Sequence, residues 1–408
     1  MKIRIRQEIE KEYLPAIATL PFEDNLSEWH QREVQTLIMR RGDSRHPVIF
    51  VRSSSGNYRF AIKETTPALA YREVKNYERL LELGIDTLHP AGVVVREEED
   101  VPVETAAGVM YEKNEVAFLI TLLEDAVLPQ STLFSLGLQQ QAKYEIFDAI
   151  AELFAKCHSK NIYWGDASLQ NVLIKFKKEE FSLAKRRKLV AMLADAETLE
   201  IRSSLSPQHK QADLDFFFES MMWLDEEFRH RGIARDRTIT EEDFKYLRDR
   251  YDATTKIYDA QKQFDLAANF NSERHFGRFA KASYAKVLLR QLEEHKWYLS
   301  EQKHREVPIR EATLDWYVHI FQPIRDELKH SRYAEHFGTK KEIDVYLELM
   351  EHKYFLSQNK GKDVGLRVAM NDYCKRFGVE KEYVPVLMKM FQGLIGLTKE
   401  YAHLASPE

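Results

Sequence analysis

Trp164-Gly165-Asp166-Ala167-Ser168-Leu169-Gln170-Asn171-Val172-Leu173-Ile174 is the stretch whose reading organises the rest of the chain. It follows a segment, Gln139 to Ser159, in which Tyr144, Phe147, Ile150, Phe154 and Cys157 recur at helical spacing. It ends in a short apolar run of strand type. An aspartate and an asparagine five residues apart therefore occupy a loop between a helix and a strand. Such a loop can present Asp166 outward while Asn171 turns back, because the flanking elements hold its backbone rigid.

Downstream, Val172 to Ile174 reads as a short strand and Leu189 to Ala194 as its return. The charged run Lys175 to Lys188 between them reads as an exposed hairpin extension. The returning strand delivers Asp195, at the head of Asp195-Ala196-Glu197. From about Gln211 the pattern is helical throughout. The segments are Ala212 to Phe228, Glu241 to Phe264, Phe279 to Ser300, Glu311 to Leu328, Lys341 to Leu356 and Val364 to Phe377, with Leu387 to His403 closing the set.

Upstream, Val48 to Val51 and Tyr58 to Lys63 read as a hairpin around the turn Ser53 to Asn57. Alternation puts Ala61 and Lys63 on one face of the second strand and Phe60 and Ile62 on the other. Pro67 to Leu83 changes to a helical period, with Pro67 near its start and Gly84 at its end. Glu73 lies on this helix, ten residues after Lys63. Val93 to Val95 and Val116 to Leu122 read as further strands, with the acidic loop Glu97 to Asp100 between them. Nearer the N-terminus, Leu26 to Leu37 reads as a short helix or, alternatively, Val34 to Met39 as a first strand. Gly42 to His46 is rich in turn residues; its backbone N–H groups, with the charge of Arg45 and His46, suit an anion such as phosphate.

The helical part repeats itself. Glu294-His295-Lys296-Trp297-Tyr298-Leu299-Ser300 matches Glu351-His352-Lys353-Tyr354-Phe355-Leu356-Ser357, and the register holds through Val307/Val364, Ala312/Ala369 and Asp315/Asp372 at an offset of 57 residues. Two copies are too few for a solenoid and predict a duplicated helix–loop–helix unit.

Composition narrows the function classes. The 408 residues exceed what one hydrophobic core serves. A 44% apolar and 31% charged chain is that of an ordinary folded protein. A formal net charge of −5 gives no global attraction to nucleic acid, and the basic residues His275, Arg278, Lys281, Lys286 and Arg290 are balanced by acidic neighbours, so a nucleic-acid partner is not expected. The two cysteines, Cys157 and Cys374, have neither metal-ligand spacing nor a disulfide framework. No apolar run reaches bilayer length, so no transmembrane segment is expected, and the expected location is cytoplasmic.

Lys63, Glu73, Asp166, Asn171 and Asp195 stand in the order found in protein kinases, and the chain resembles the protein-kinase-like superfamily. Trp164-Gly165-Asp166 is similar to the Gly-Asp of aminoglycoside and lipopolysaccharide-core (Kdo/heptose) kinases, where Ser/Thr kinases carry His-Arg-Asp. A closer resemblance is to a bacterial family with an N-terminal lipopolysaccharide-kinase-like domain and a helical C-terminal domain. The matching pieces are Arg41 to His46, Ala61 to Glu64, Trp164 to Asn171, Asp195 to Glu197, Ser204 to Ser206 and Glu294 to Ser300. The G-x-G-x-x-G loop, D-F-G and A-P-E segments of protein kinases are missing, and the loss of the last argues against a peptide-substrate platform.

The resemblance implies an α+β, bilobal protein-kinase-like fold, a small antiparallel β lobe plus a helical lobe, followed by an all-α C-terminal domain. The expected divisions are 1–125 for the N-terminal extension and N-lobe, 126–235 for the C-lobe core, and 236–408 for the helical domain with its echo. It implies ATP and Mg2+ as cofactors and transfer to an unidentified acceptor, a small-molecule or glycan hydroxyl rather than a peptide. Asp166 is then the catalytic base; Lys63, held by Glu73, serves the phosphates; Asn171, Asp195 and Glu197 hold the metal. Ala61 lines the nucleotide pocket, and Gly42, Ser44, Arg45 and His46 cover the phosphates. Asp213 or Asp215 is expected to brace the 164–171 loop through its backbone N–H groups, a helix N-cap being the plainer alternative. The alternatives are a pseudokinase or nucleotide-sensing adaptor whose helical domain binds a protein, a bacterial protein kinase, and adenylyl transfer, which the same residues would serve.

Overall fold

Alternation along two strands decides how the first sheet is built. In Arg59–Thr65 (β3) the side chains of Phe60 and Ile62 are fully buried on one face, and in Glu115–Leu122 (β7) Phe118 and Ile120 join them. Removing each from water contributes roughly 2 kcal/mol. Ala61 and Lys63, Leu119 and Thr121 point to the other face, where a cavity lies. The sheet is antiparallel, in the order β1-β4-β7-β3-β2, with β1 Arg4–Ile9, β2 Val48–Arg52 and β4 Pro90–Glu97. Helix α1, Pro67–Glu82, follows β3.

This computed structural model describes residues 4–377 apart from 33, 38–45, 54–56, 99–100, 106–107, 113, 124–126, 130–133, 135–137, 179, 184–186, 233–238, 332–333 and 338–339. Gly42, Ser44 and Arg45 of the expected phosphate cover, and the closing helix Leu387 to His403, lie outside the described residues.

The N-terminal segment packs onto the apolar face of the sheet. Ile17, Phe22, Leu26 and Trp29 bury themselves against Phe60, Val94, Phe118 and Ile120. Arg96 pins this cover from inside: it donates to the carbonyls of Phe22 and Glu23 and to Asn25 Oδ1, pairs with Glu98 at 2.8 Å, and lies over the Phe118 ring. The expectations for this region need correcting. The first strand is Arg4–Ile9, and Leu26–Gln31 is a 3-10 helix, while Thr36 makes a single bridge to Val51. Beyond the acidic loop an extra hairpin, β5 Val101–Thr105 and β6 Gly108–Glu112, stands as its own two-stranded sheet.

Helix α2, Gln140–Ser159, leads through a two-stranded ladder (β9 Ile162–Tyr163 with β12 Glu200–Ile201) into the 164–171 loop. Strands β10 Val172–Lys178 and β11 Arg187–Leu193 form a second sheet with β8 Leu128–Pro129. Helix α3 is Pro207–His230, capped by the Ser206 hydroxyl accepting from His209 N.

The chain divides into two compact units, Met1–Lys175 with Val190–Lys245, and Phe176–Leu189 with Tyr246–Glu408. The first is a mixed α+β unit holding the small antiparallel sheet; the second is largely helical. The tip of the β10–β11 hairpin belongs to the helical unit; Lys177, Lys178 and Glu180 are exposed as its charge suggested, but the tip is not exposed throughout. Ser182 and Leu183 are buried there, Phe181 O accepts the backbone N–H of Glu342, and Leu183 packs with Leu328, Val345 and Leu349.

In the helical unit α4 Glu241–Ala268 ends, and α5 Ala282–Lys303, α6 Ile309–Trp316, α7 Gln322–His330, α8 Glu342–Lys360 and α9 Leu366–Phe377 follow. A π-helical turn, Tyr317–Phe321, joins α6 to α7. The sequence echo is a structural one. His295 Nε2 meets Asp315 Oδ2 at 2.9 Å and His352 Nε2 meets Asp372 Oδ2 at 2.8 Å. Ser300 Oγ accepts from Val307 N, as Ser357 Oγ does from Val364 N. Each first helix ends on a left-handed residue, His304 in one copy and Gly361 in the other.

Candidate active site

The geometry starts from Lys63. Its ammonium donates to Glu73 Oε2 at 3.0 Å, Asp195 Oδ2 at 3.2 Å and Glu197 Oε2 at 3.1 Å. Three elements converge here: β3 carries the lysine, α1 carries Glu73, and the segment just past β11 carries the other two. Burial alone would lower the lysine pKa. The charges of Glu73 and Asp195, with the bonds to Glu73 and Glu197, override it and hold the ammonium above the ordinary lysine value. Glu73 is pushed up to about 7, first by burial and then by the Asp195 charge, against the opposing pull of Lys63.

Tyr77, one helical turn beyond Glu73, secures both sides of this junction. Its hydroxyl lies 2.6 Å from Glu73 Oε1 and 2.6 Å from Ala194 O. Asn76 Nδ2 donates to Ala196 O and Leu199 O. Trp164, fully buried, donates from its indole N–H to Asp195 O at 2.9 Å. The Asp195-Ala196-Glu197 segment is thus held through its backbone, and Asp195 Oδ1 accepts Glu197 N at 3.0 Å, while Asp195 Oδ2 and Glu197 Oε2 face Lys63.

The 164–171 loop is held in the same manner. Asp213 accepts from Trp164 N and Gly165 N, each at 2.9 Å, and from the buried His158 Nε2 at 3.1 Å. Of the two aspartates offered for this brace, Asp213 supplies it; Asp215 is exposed and bonds Gln211. Within the loop Asn171 Nδ2 donates to Asp166 O at 3.0 Å. Among the described residues, Asn171 Oδ1 keeps no protein partner. Ala194 N donates to Asn171 O at 2.8 Å, which ties the loop to the end of β11.

One cavity of about 560 Å³ receives all of this. Lys63, Glu73, Asp166, Asn171, Asp195 and Glu197 line its polar part, and Ala61, Leu119, Thr121, Leu173 and Met192 an apolar slot beside it. His46 also lines it, with Nε2 3.7 Å from Glu197 Oε2. Every described residue of the expected site therefore opens on one space. The sequence reading missed Tyr77, Asn76 and the Trp164 indole bond. The four-residue interval from Glu73 to Tyr77 was the available signal for the first.

A divalent ion can be tested against the donor set. Glu73, Asp195 and Glu197 offer carboxylate oxygens all within 4.8 Å of one another, a hard, all-oxygen group of the kind Mg2+ takes. Asn171, whose side-chain carbonyl is a neutral oxygen donor, lines the same cavity. The residues fit the ion, with Lys63 as the competing cation at their centre.

Among the described residues no helix is long and apolar enough to cross a membrane. A family model described as a domain of unknown function (DUF4032) matches residues 312–377, from α6 to the end of α9. No curated protein matches the chain. Among solved structures, that of WaaP in complex with acyl carrier protein is similar at 15% sequence identity, over 60% of this chain and 88% of that one, with a TM-score of 0.35.

Proposed function

We propose that the first unit is a bilobal, protein-kinase-like phosphotransferase that uses ATP and Mg2+ to phosphorylate a hydroxyl, with Asp166 as its base. The observation that carries this reading is the convergence of Lys63, Glu73, Asp166, Asn171, Asp195 and Glu197 on one cavity that also offers an apolar slot. Adenine suits that slot, where Ala61 leaves room for a flat ring. Lys63, released from Asp195 and Glu197 but kept by Glu73, neutralises phosphate oxygens. Asn171, Asp195 and Glu197 would hold Mg2+, which supplies charge neutralisation on the phosphates.

Asp166 orients the acceptor hydroxyl and takes its proton. The acceptor oxygen forms its bond to the γ-phosphorus as the bond from that phosphorus to the β–γ bridging oxygen breaks, and the electron pair leaves with ADP. His46, which lines the cavity, would contribute to a cover over the phosphates. The Asp213 brace keeps Asp166 in place without touching the reactants.

Calorimetry with ATP and Mg2+ tests the reading. Binding is expected in the native protein and its loss in Asp195→Ala. Absence of heat with the native protein overturns it.

A second reading has an observation of its own. Trp297 with Tyr298, and Tyr354 with Phe355, are exposed T-shaped pairs at matching positions of the two hairpins. They favour a protein partner for the helical unit.

A further inference from the structure

Helix α3 turns one stripe toward the cavity. Phe216, Ser220, Trp223 and Glu227 recur at intervals of four, three and four residues, which places them along one helical face, and all line the space that Asp166 lines. Glu219 lines it beside them. The opposite stripe, with Leu214, Phe217, Met221 and Phe228, is buried. Ser220 joins the stripe to the loop carrying Asp166: its hydroxyl accepts from Leu169 N at 2.8 Å and donates to Phe217 O at 2.7 Å. The stripe is therefore fixed to the loop that carries Asp166, the residue proposed to meet the acceptor hydroxyl.

Trp223 is 68% exposed although it lines a cavity. A bare indole there is a flat apolar platform whose face attracts cations. The charge beside it is negative. Glu219 is exposed and makes no ion pair among the described residues; Glu227 shares a surface pair with Arg231 at 2.7 Å. Lys63, which lines the same cavity, is kept by Glu73 and given to the phosphates in the phosphotransfer reading. An anionic acceptor would meet repulsion on this wall, and a cationic one attraction.

We propose that α3 forms the acceptor subsite, and that the acceptor is a small hydroxylated compound bearing a protonated amine, its ring face on Trp223 and its ammonium toward Glu219 and Glu227. This rests on the phosphotransfer reading and names the acceptor class that reading leaves open. A cavity of about 560 Å³ suits a nucleotide with a compound of this size.

The test uses the full chain and three probes of matched ring: glucosamine, glucose and glucuronate, which carry positive, no and negative charge. Of the five tryptophans, Trp29, Trp164 and Trp316 are buried, so in a Trp297→Phe background the quenching lost on a further Trp223→Phe substitution reports Trp223. Glucosamine is expected to quench at about tenfold lower concentration than glucose, with glucuronate weakest. Glu219→Gln brings glucosamine to the level of glucose, and Trp223→Ala raises the glucosamine KM with little change in kcat. Equal quenching by the three sugars overturns the proposal, as does a Glu219→Gln variant that binds glucosamine like the native chain. Preference for a serine-containing oligolysine peptide over glucosamine overturns the small-molecule class. Charge-selective quenching without any Asp166-dependent turnover overturns the phosphotransfer reading and, with it, the acceptor role.

Discussion

Asp213 Oδ1 accepts the backbone N–H of Gly165 at 2.9 Å across 48 residues of chain. Its other oxygen serves Trp164 N and His158, so one buried carboxylate satisfies three donors around the residue that precedes Asp166. Asp213→Ala is expected to destabilise the first unit by about 3 kcal/mol, since three buried donors lose their acceptor. Denaturant unfolding of the native and Asp213→Ala chains, followed by tryptophan fluorescence, measures this. A cost below about 1 kcal/mol would show that the brace is dispensable.

Asp166 needs a separate test, because it shares its cavity with residues assigned to the nucleotide. Asp166→Asn is expected to lower phosphoryl transfer by about a hundredfold or more and to leave the ATP dissociation constant within a few-fold of native. Single-turnover kinetics beside calorimetry separates the two effects. Equal losses in binding and turnover would remove the residue from the base role.

A pH effect on stability is expected from the helical unit. Asp344 is buried, accepts from Ala280 N at 3.0 Å, and is pushed up to about 6, chiefly by burial. The unfolded chain has lost this proton above its ordinary value of 3.8, while the folded chain keeps it up to about 6. Stability therefore falls as pH rises across that window, by up to about 3 kcal/mol. Asp344→Asn keeps an acceptor for Ala280 without the charge. It should be more stable than native at pH 7.5 and equal to it at pH 4, and the reverse ranking in urea unfolding would refute the assignment.

The two hairpins offer an internal control. Gly361 closes α8 with φ 63°, while His304 closes α5 with φ 52°, a conformation in which a side chain is strained. His304→Gly is expected to stabilise the helical unit by about 0.5–1 kcal/mol, and Gly361→His to cost a similar amount. Thermal unfolding of both variants decides it.

Much of the candidate site was legible because it rests on local patterns. Alternation in β3 placed Ala61 and Lys63 together, and the Asp166–Asn171 interval was readable from the loop alone. The echo was legible because the same bonds, His295 to Asp315 and His352 to Asp372, require the same residues at the same spacing. Strand β1 was not read: it is an edge strand in which only Ile5 and Ile9 turn to the core while Arg4, Arg6, Gln7 and Glu8 are exposed, so its alternation is short and weak. Nor was the cover at Trp29 and Phe22, where contacts are made far along the chain and the local period is irregular. Trp223 was hidden for the opposite reason, since an aromatic residue in a helix is usually core and only its exposure sets it apart.

The hairpin tip Phe176–Leu189 gives the helical unit a piece of chain lying between two segments of the other unit. Neither unit can then be obtained whole by cutting the protein at one place. A fragment beginning at Tyr246 would lack Phe181 and Leu183, leaving the Glu342 amide without its acceptor and Leu328, Val345 and Leu349 uncovered. A fragment ending at Lys245 would carry that greasy tip into water. Each half should aggregate alone, and adding a peptide spanning 176–189 should rescue only the helical one.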